Sequence, residues 1–382
     1  MKELKAKERY LRMFRGESID RIPVCPRVFE NVVFEYNKTR NLGDKYLEKI
    51  IEYYRLFGFD IIDWNCTPSP HFEMTDFTME GPNWKPKIVE EQHGKTKHII
   101  MTVETPKGTL RRVQAISKIS PWADESALIE YPIKTEKDFD ILAEFMPPPY
   151  KLDLSSINKV IKLIGDDGIA SPSCHGPFNI IAYCYRRLDD LLLDPLMSPD
   201  FYHRMMEYFT NRIMEYTRQM LTTEAPFYDI GTNIAGGIVV SPSFLVEHVL
   251  PYDNRLADMI QKKGNIALYH NCGYAANHLC VYDKLHHRAW GYLAPKPHGD
   301  TDLDEAIRIL PKNMILWGHV DQIDFLRKAT PKEIDQRVKW ICEKMKPRGN
   351  YILGTTDYLE TETPVENIRA FVEAGHKHGR YE

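Results

Sequence analysis

The sequence predicts an α/β protein of the (β/α)8 TIM-barrel type, with an N-terminal helical extension and a β-hairpin insertion between its second and third strands. Three observations lead there. The second half alternates short apolar segments with amphipathic ones, the pattern of repeated βα units. Helix-start signals recur at the same phase after those segments. Eight strand candidates can be counted along the chain, which is the barrel number. A length of 382 residues suits one decorated barrel, and no Gly/Ser-rich linker divides the chain. Residues 1–382 are therefore read as a single domain, with the insertion at about 66–150.

The first eighteen residues, MKELKAKERYLRMFRGES, form a charged amphipathic segment that reads as a helix and lacks the apolar core of a signal peptide. The expected strands are residues 22–28, 59–64, 168–173, 227–233, 266–272, 288–293, 314–319 and 351–357, each with an apolar core and a following break. About a hundred residues separate the second from the third, and within them residues 85–120 read as β-hairpins with Thr105-Pro106-Lys107-Gly108 as a turn. Residues 134–145 read as a returning helix, and the whole stretch is a reasonable lid over the barrel mouth. Ser198-Pro199 and Ser241-Pro242 place a hydroxyl at the N-cap and proline at the first helical position. Thr330-Pro331-Lys332-Glu333 and Thr363-Pro364-Val365-Glu366 read as capping boxes.

Composition narrows the class of function. Fifty Lys and Arg against 54 Asp and Glu leave a formal net charge of -4 with no long block of one sign, which argues against nucleic-acid or membrane partners. No apolar run approaches the roughly 20 residues of a spanning helix. Seven cysteines without framework spacing fit a reducing compartment, so a cytoplasmic location is expected and each thiol is a candidate ligand.

In a parallel barrel the chemistry gathers where the βα loops converge, at the C-terminal strand ends. The fifth strand ends His270-Asn271-Cys272-Gly273, and residues two apart on an extended chain share a face. An imidazole and a thiolate, each about 2.0–2.3 Å from one point, make half of a tetrahedral zinc site. The plainer alternative is a strand end carrying one hydrogen-bonded histidine and one buried cysteine. Asp357, after the eighth strand, is the best carboxylate to complete a metal site. The fourth strand offers Asp229, a candidate proton donor, together with Gly231 and Asn233. His175 and His319 are candidate lining imidazoles. Trp64 and Asn65, with the nearby His71, could supply an aromatic wall and polar contacts, and Tyr358 stands beside Asp357. The pair His286-His287 reads as surface.

These residues resemble the uroporphyrinogen decarboxylase-like superfamily, in particular its branch of zinc-dependent cobamide methyltransferases. The similarity runs from Arg21-Ile22-Pro23-Val24 through Thr105-Pro106-Lys107-Gly108-Thr109-Leu110, Ser241-Pro242 and Leu250-Pro251-Tyr252 to His270-Asn271-Cys272-Gly273 and Thr363-Pro364-Val365-Glu366-Asn367. His-x-Cys-Gly is its specific element. The resemblance implies a barrel that moves methyl groups to or from a corrinoid (cobamide) carried on a partner protein. It departs from the thiol-methylating pattern, in which a second cysteine ends the eighth strand, because this chain has Thr355, Thr356 and Asp357 there. A carboxylate in place of a thiolate makes a harder, more electrophilic metal site, better suited to an ether oxygen.

The expected activity is O-demethylation of a methoxylated small-molecule methyl donor, with an aromatic one expected. Zinc on His270, Cys272 and Asp357 is the expected Lewis acid, with Asp229 or His319 serving the leaving oxygen and Trp64, Asn65, His175, Asn233 and Tyr358 lining the substrate. The alternatives are a methylcobamide:thiol (coenzyme M type) methyltransferase, a decarboxylase-like lyase, and a corrinoid-binding module without turnover. The decarboxylase is disfavoured because Cys25-Pro26-Arg27-Val28-Phe29-Glu30 carries one arginine and an acid where a polyanion would need several cations. A homodimer is a plausible assembly.

Overall fold

In the computed structural model, residues 3–68 and 76–381 are described. Its strands are β1 (Ile61–Asp63), β2 (Lys85–His93), β3 (Thr96–Thr105), β4 (Gly108–Lys118), β5 (Asp124–Glu130), β6 (Gly168–Ala170), β7 (Ser173–His175), β8 (Phe227–Gly231), β9 (Ile266–His270), β10 (Ala289–Leu293), β11 (Ile315–Val320) and β12 (Tyr351–Thr355). β7 to β12 form one six-stranded parallel sheet in sequence order, and β1 pairs with β6, also in parallel. β8 to β12 are buried at every residue, as expected of parallel strands covered on both faces, which explains why apolar and aromatic residues dominate them.

The regular ladders stop short of joining these two sheets into one. β6 and β7 are a single run broken at Ser171-Pro172, where Ser171 N–H donates to the Asp63 carbonyl at 2.7 Å. Residues 22–28, expected as the first strand, form no regular strand. They make isolated parallel bridges, Val24 with Leu353 and Arg27 with Tyr358. Cys25 N–H donates to Leu353 (2.8 Å), Leu353 N–H to Pro23 (2.9 Å) and Asp60 N–H to Val24 (2.9 Å), so the segment lies between β12 and the approach to β1. The reason is chemical: Pro23 and Pro26 carry no N–H, and a ladder cannot run through them.

Helices follow the later strands. Thr330 and Glu333 form the expected capping box at the start of Pro331–Met345, and the Ser241 hydroxyl accepts from Phe244 N–H. Ser198 is the N-cap of Pro199–Met220 but makes no side-chain capping bond. At Thr363 the expected box is absent. That hydroxyl turns back to the Glu360 carbonyl (2.7 Å), and the helix Val365–His378 begins after Pro364. Between β1 and β6 in sequence, β2 to β5 form a four-stranded antiparallel sheet, with Pro106-Lys107 as the two-residue link from β3 to β4. The helix Glu136–Phe145 follows it, opened by a Thr135/Asp138 capping box. No helix of the described residues is long and apolar enough to cross a membrane, and none of the seven cysteines is in a disulfide.

Candidate metal centre and active site

Ladder register places His270. The last residue of β9 pairs with Gly231 of β8 on one side and Gly291 of β10 on the other. Neither flanking strand has a side chain at that level, and a Cβ on Gly231 would come within 2.9 Å of the His175 ring. An imidazole therefore has room among the strand ends. One ring nitrogen of His270, the Cys272 sulfur and one Asp357 carboxylate oxygen all lie within 4.8 Å of one another. Ligands of a tetrahedral zinc ion sit roughly 3.3–3.8 Å apart, so the three atoms need to close by at most about 1.5 Å.

Asp229 and Arg27 complete the cluster. The Asp229 carboxylate meets His270 Nδ1 at 3.1 Å, and Arg27 Nη1 lies 3.0 Å from Nδ1 and 3.1 Å from Nε2. With Nδ1–H donating to Asp229, as carboxylates do behind metal-binding imidazoles, the Nε2 lone pair faces Arg27, and a metal ion would bind there in place of that guanidinium contact. Arg27 also reaches Asp229 at 3.4 Å and Asp357 at 3.5 Å, while its Nε has no partner among the described residues. Burial pushes the Asp229 carboxyl up, but the neighbouring His270 and Arg27 outweigh it and hold the group below its usual range. Asp229 is therefore ionised and accepts hydrogen bonds, so the proton-donor role expected for it does not fit its surroundings. The Cys272 thiol is pushed well up by burial first and by the Asp357 carboxylate second. It gives up its proton only when a cation arrives.

The donor set fits zinc. One imidazole, one thiolate and one carboxylate leave a fourth position open, the pattern of catalytic rather than structural sites. Charge agrees: Arg27 and a divalent ion supply three positive charges, and Asp229, Asp357 and the Cys272 thiolate supply three negative ones. The other group with ligand-like spacing, His298, Asp321 and Asp324, is already occupied internally. Asp321 caps the backbone N–H groups of residues 323 to 325, and Asp324 pairs with His298 at 2.7 Å and with Lys328.

Aromatic rings wall one side of the cluster. The Arg27 guanidinium carbon lies 4.4 Å from the centroid of the Trp64 ring, and Phe29 stacks on Trp64 at 5.1 Å and an 8° tilt. Tyr358 lies 5.3 Å from Phe29 and is 38% exposed, so the wall reaches solvent. Trp64 and Asn65 are both pinned by donating to the Val28 carbonyl. Asn65 also donates to Asp63, whose carboxyl burial raises to about 6. Across the mouth, Asn233 donates to the Tyr183 hydroxyl at 2.9 Å, and the His175 and Tyr183 ring centroids are 5.6 Å apart.

Two further expectations fail. His319 does not join the cluster, because left-handed backbone at Gly318 (φ 120°) and His319 (φ 76°) breaks the alternation of β11. Trp317 faces inward and donates to the Cys25 carbonyl, whereas the His319 ring packs 6.0 Å from Trp340 on the outer helix Pro331–Met345. There burial, with Arg337 adding, lowers its pKa to about 4, and it serves no leaving group. His287 is not surface: it is 3% exposed, lies 5.2 Å from the Tyr269 ring, and is lowered to about 3 by burial. His71 lies outside the described residues. Sequence reasoning missed Arg27 and Tyr183. Arg27 was legible as a residue at the end of the first barrel segment; Tyr183, within the helix Pro177–Cys184, carries no sequence signal.

The fold and site together define a class: a parallel α/β protein carrying a cation-ready His/Cys/Asp centre at its C-terminal strand ends. The uroporphyrinogen decarboxylase (URO-D) family matches residues 118–378, and the chain belongs to that family. Among curated relatives it is 21% identical to methylcobamide:CoM methyltransferase MtbA of Methanosarcina mazei, over 67% of this chain and 73% of the relative. It is 25% identical to the uroporphyrinogen decarboxylase of Anaeromyxobacter dehalogenans, over 67% of this chain and 72% of the relative. A solved methyltransferase from Methanosarcina mazei shares the fold, with a TM-score of 0.70 over 98% of this chain and 99% of that one at 13% identity.

Proposed function

We propose that this protein is a corrinoid-dependent methyltransferase that removes the methyl group of a methoxylated aromatic compound and passes it to a corrinoid held by a partner protein. The observation that carries this reading is the convergence of His270, Cys272 and Asp357 within 4.8 Å, with Asp229 behind His270. We read the eight parallel segments as one closed barrel and the chain as a single cytoplasmic domain, with β2 to β5 as its insertion. A homodimer remains compatible with it.

His270, Cys272 and Asp357 are the residues that would hold zinc. Zinc held there would supply positive charge to the ether oxygen, which keeps the electron pair of the broken carbon–oxygen bond. A reduced corrinoid on the partner would supply the electron pair for the bond to the methyl carbon. The rest falls to the chain. Asp229 fixes the His270 tautomer, and Arg27 lends a second positive charge to the departing phenolate. Trp64, Phe29 and Tyr358 hold the aryl ring and keep water from it, while Asn65, His175 and Asn233 orient its polar substituents. A methyl acceptor thiol would engage the same three ligands, and the likeness to MtbA favours that reverse reading; direction of transfer separates the two.

The test is incubation of the zinc-loaded protein with a panel of methoxyarenes and a reduced corrinoid protein, followed through the cobalt absorption spectrum. Conversion with one donor class is expected. Conversion only in the presence of a methylated corrinoid and a free thiol would sink the demethylation reading in favour of thiol methylation.

A further inference from the structure

A cavity of about 580 Å³ lies between one face of the four-stranded sheet and the helix Pro177–Cys184. Strand parity makes it. Ile88 of β2, Ile99 and Met101 of β3, and Leu128 of β5 all point to this one face, and the cross-strand pairs Ile88–Met101 and Gln114–Leu128 set its floor. A sheet face of this kind normally meets a packed layer of side chains. Here it meets open space of the size that takes a small molecule, since such pockets run from about 300 to 1,000 Å³.

The inner wall of the cavity is the outer wall of the reaction centre. Tyr183 and Ile234 line the cavity, and Tyr183 holds Asn233 through its hydroxyl while packing on His175. Among the described lining residues the charges are Arg112 and Glu90. Arg112 is engaged with the Met101 sulfur (2.9 Å) and lies over the Phe77 ring, and Glu90 sits on the exposed strand β2. The rest of the described lining is uncharged, and an apolar body finds isoleucine, methionine and leucine there.

We propose that this cavity is the binding chamber for the body of the substrate, an uncharged apolar compound of two or more rings whose methyl-bearing end passes Tyr183 to reach His270, Cys272 and Asp357. The inference rests on the demethylation reading for the identity of that end, and on the cavity alone for the rest. The chamber sets specificity by size. A single-ring methoxyarene fills the aromatic wall at Trp64 and Phe29 and leaves the chamber empty, whereas a bicyclic one buries its second ring against the sheet.

The test measures binding without the corrinoid partner. The full chain is titrated with 2-methoxynaphthalene, read by the probe's own fluorescence anisotropy, and anisole is run as a competitor. Saturable binding at least tenfold tighter than that of anisole is expected. Leu128→Trp, which fills the chamber from the sheet, weakens it tenfold or more, and Ile129→Trp, at the exposed neighbour outside the chamber lining, leaves it unchanged. Ile99→Trp asks the same question should Leu128→Trp not fold. Equal affinity for the two probes in the unmutated protein, or equal effects of Leu128→Trp and Ile129→Trp, overturns the chamber. Chamber-dependent binding with no methyl transfer from any donor keeps the chamber and removes the demethylation reading. Transfer from anisole in a protein that ignores Leu128→Trp does the reverse.

Discussion

Two buried clusters of arginine and aspartate sit at opposite ends of the strands, and they are built differently. At the N-terminal end, Arg9 donates to Asp20 at 2.7 and 2.9 Å, to Asp60 at 2.5 Å and to the Leu4 carbonyl. Arg21 closes on Asp60 at 2.6 and 3.0 Å, and the N–H groups of Leu4 and Val24 take up the remaining carboxylate positions. At the C-terminal end, Arg27 meets Asp229 and Asp357 only at 3.4 and 3.5 Å, its Nε has no partner among the described residues, and Cys272 keeps its proton. The first network is complete with two cations and two anions. The second has donors spaced for one more cation. A saturated ion cluster ties segments together, and an unsaturated one of the same residue types is where a ligand belongs.

Removing a ligand tests the unsaturated end most severely. His270→Ala or Cys272→Ala is expected to abolish stoichiometric zinc and lower methyl transfer by about a thousandfold or more, while the melting temperature moves by a few degrees at most. Metal analysis beside a thermal scan reads both. Full activity in both variants would remove the metal centre from the proposal. Asp60→Ala should behave in the opposite way. It strands Arg9 and Arg21 in the interior and is expected to cost about 3–5 kcal/mol in denaturant unfolding. Folded Asp60→Ala protein is expected to bind zinc normally, and a zinc affinity that falls with stability would erase the distinction between the two ends.

A milder change probes how the second cluster is held. Asp229→Asn keeps the size of the side chain and loses the charge that sets the His270 tautomer, so zinc affinity should fall by roughly 10–100-fold. Competition with a chelating dye measures it. An unchanged affinity would mean that Asp229 serves Arg27 and not the imidazole.

The C-terminal end was the more legible of the two, and the reason lies in chain geometry. His270, Cys272 and Asp357 could be picked out because strand ends are marked by apolar runs and the following glycine or helix cap, and the two-residue period fixes which side chains share a face. The same rule failed at His319, because nothing in the sequence shows that Gly318 and His319 adopt positive φ and turn the imidazole outward. It failed again over residues 22–28, where apolar content suggested a strand and two prolines forbade the ladder. The Arg9–Asp20–Arg21–Asp60 network went unread altogether. Its members are up to 51 positions apart, and polar residues before a strand look like ordinary loop residues until the fold brings them together. Arg27 belongs to both failures: it follows a proline in an irregular segment, and its partners come from β8 and from the residues after β12.

The smallest expected effect concerns pH and again separates the two ends. Burial pushes the Asp20 carboxyl up, but hydrogen bonds from Arg9 and the Leu4 N–H bring it down to about 2. The folded value lies below the unfolded one of about 3.9, so the unfolded chain binds more protons between them. The stability that Asp20 contributes is then present above pH 4 and lost as pH falls through the folded value. It is worth about 1–2 kcal/mol, allowing for screening of a group near the surface. Asp20→Asn should lower stability at pH 6 by about that amount and flatten the decline of stability between pH 4 and pH 2. Urea titrations at stepped pH measure both. The ion pairs of a saturated network predict this parallel loss. A variant as acid-sensitive as the unmutated protein would show that the Arg9 pair adds nothing to the fold, and that the N-terminal cluster is held by its backbone hydrogen bonds alone.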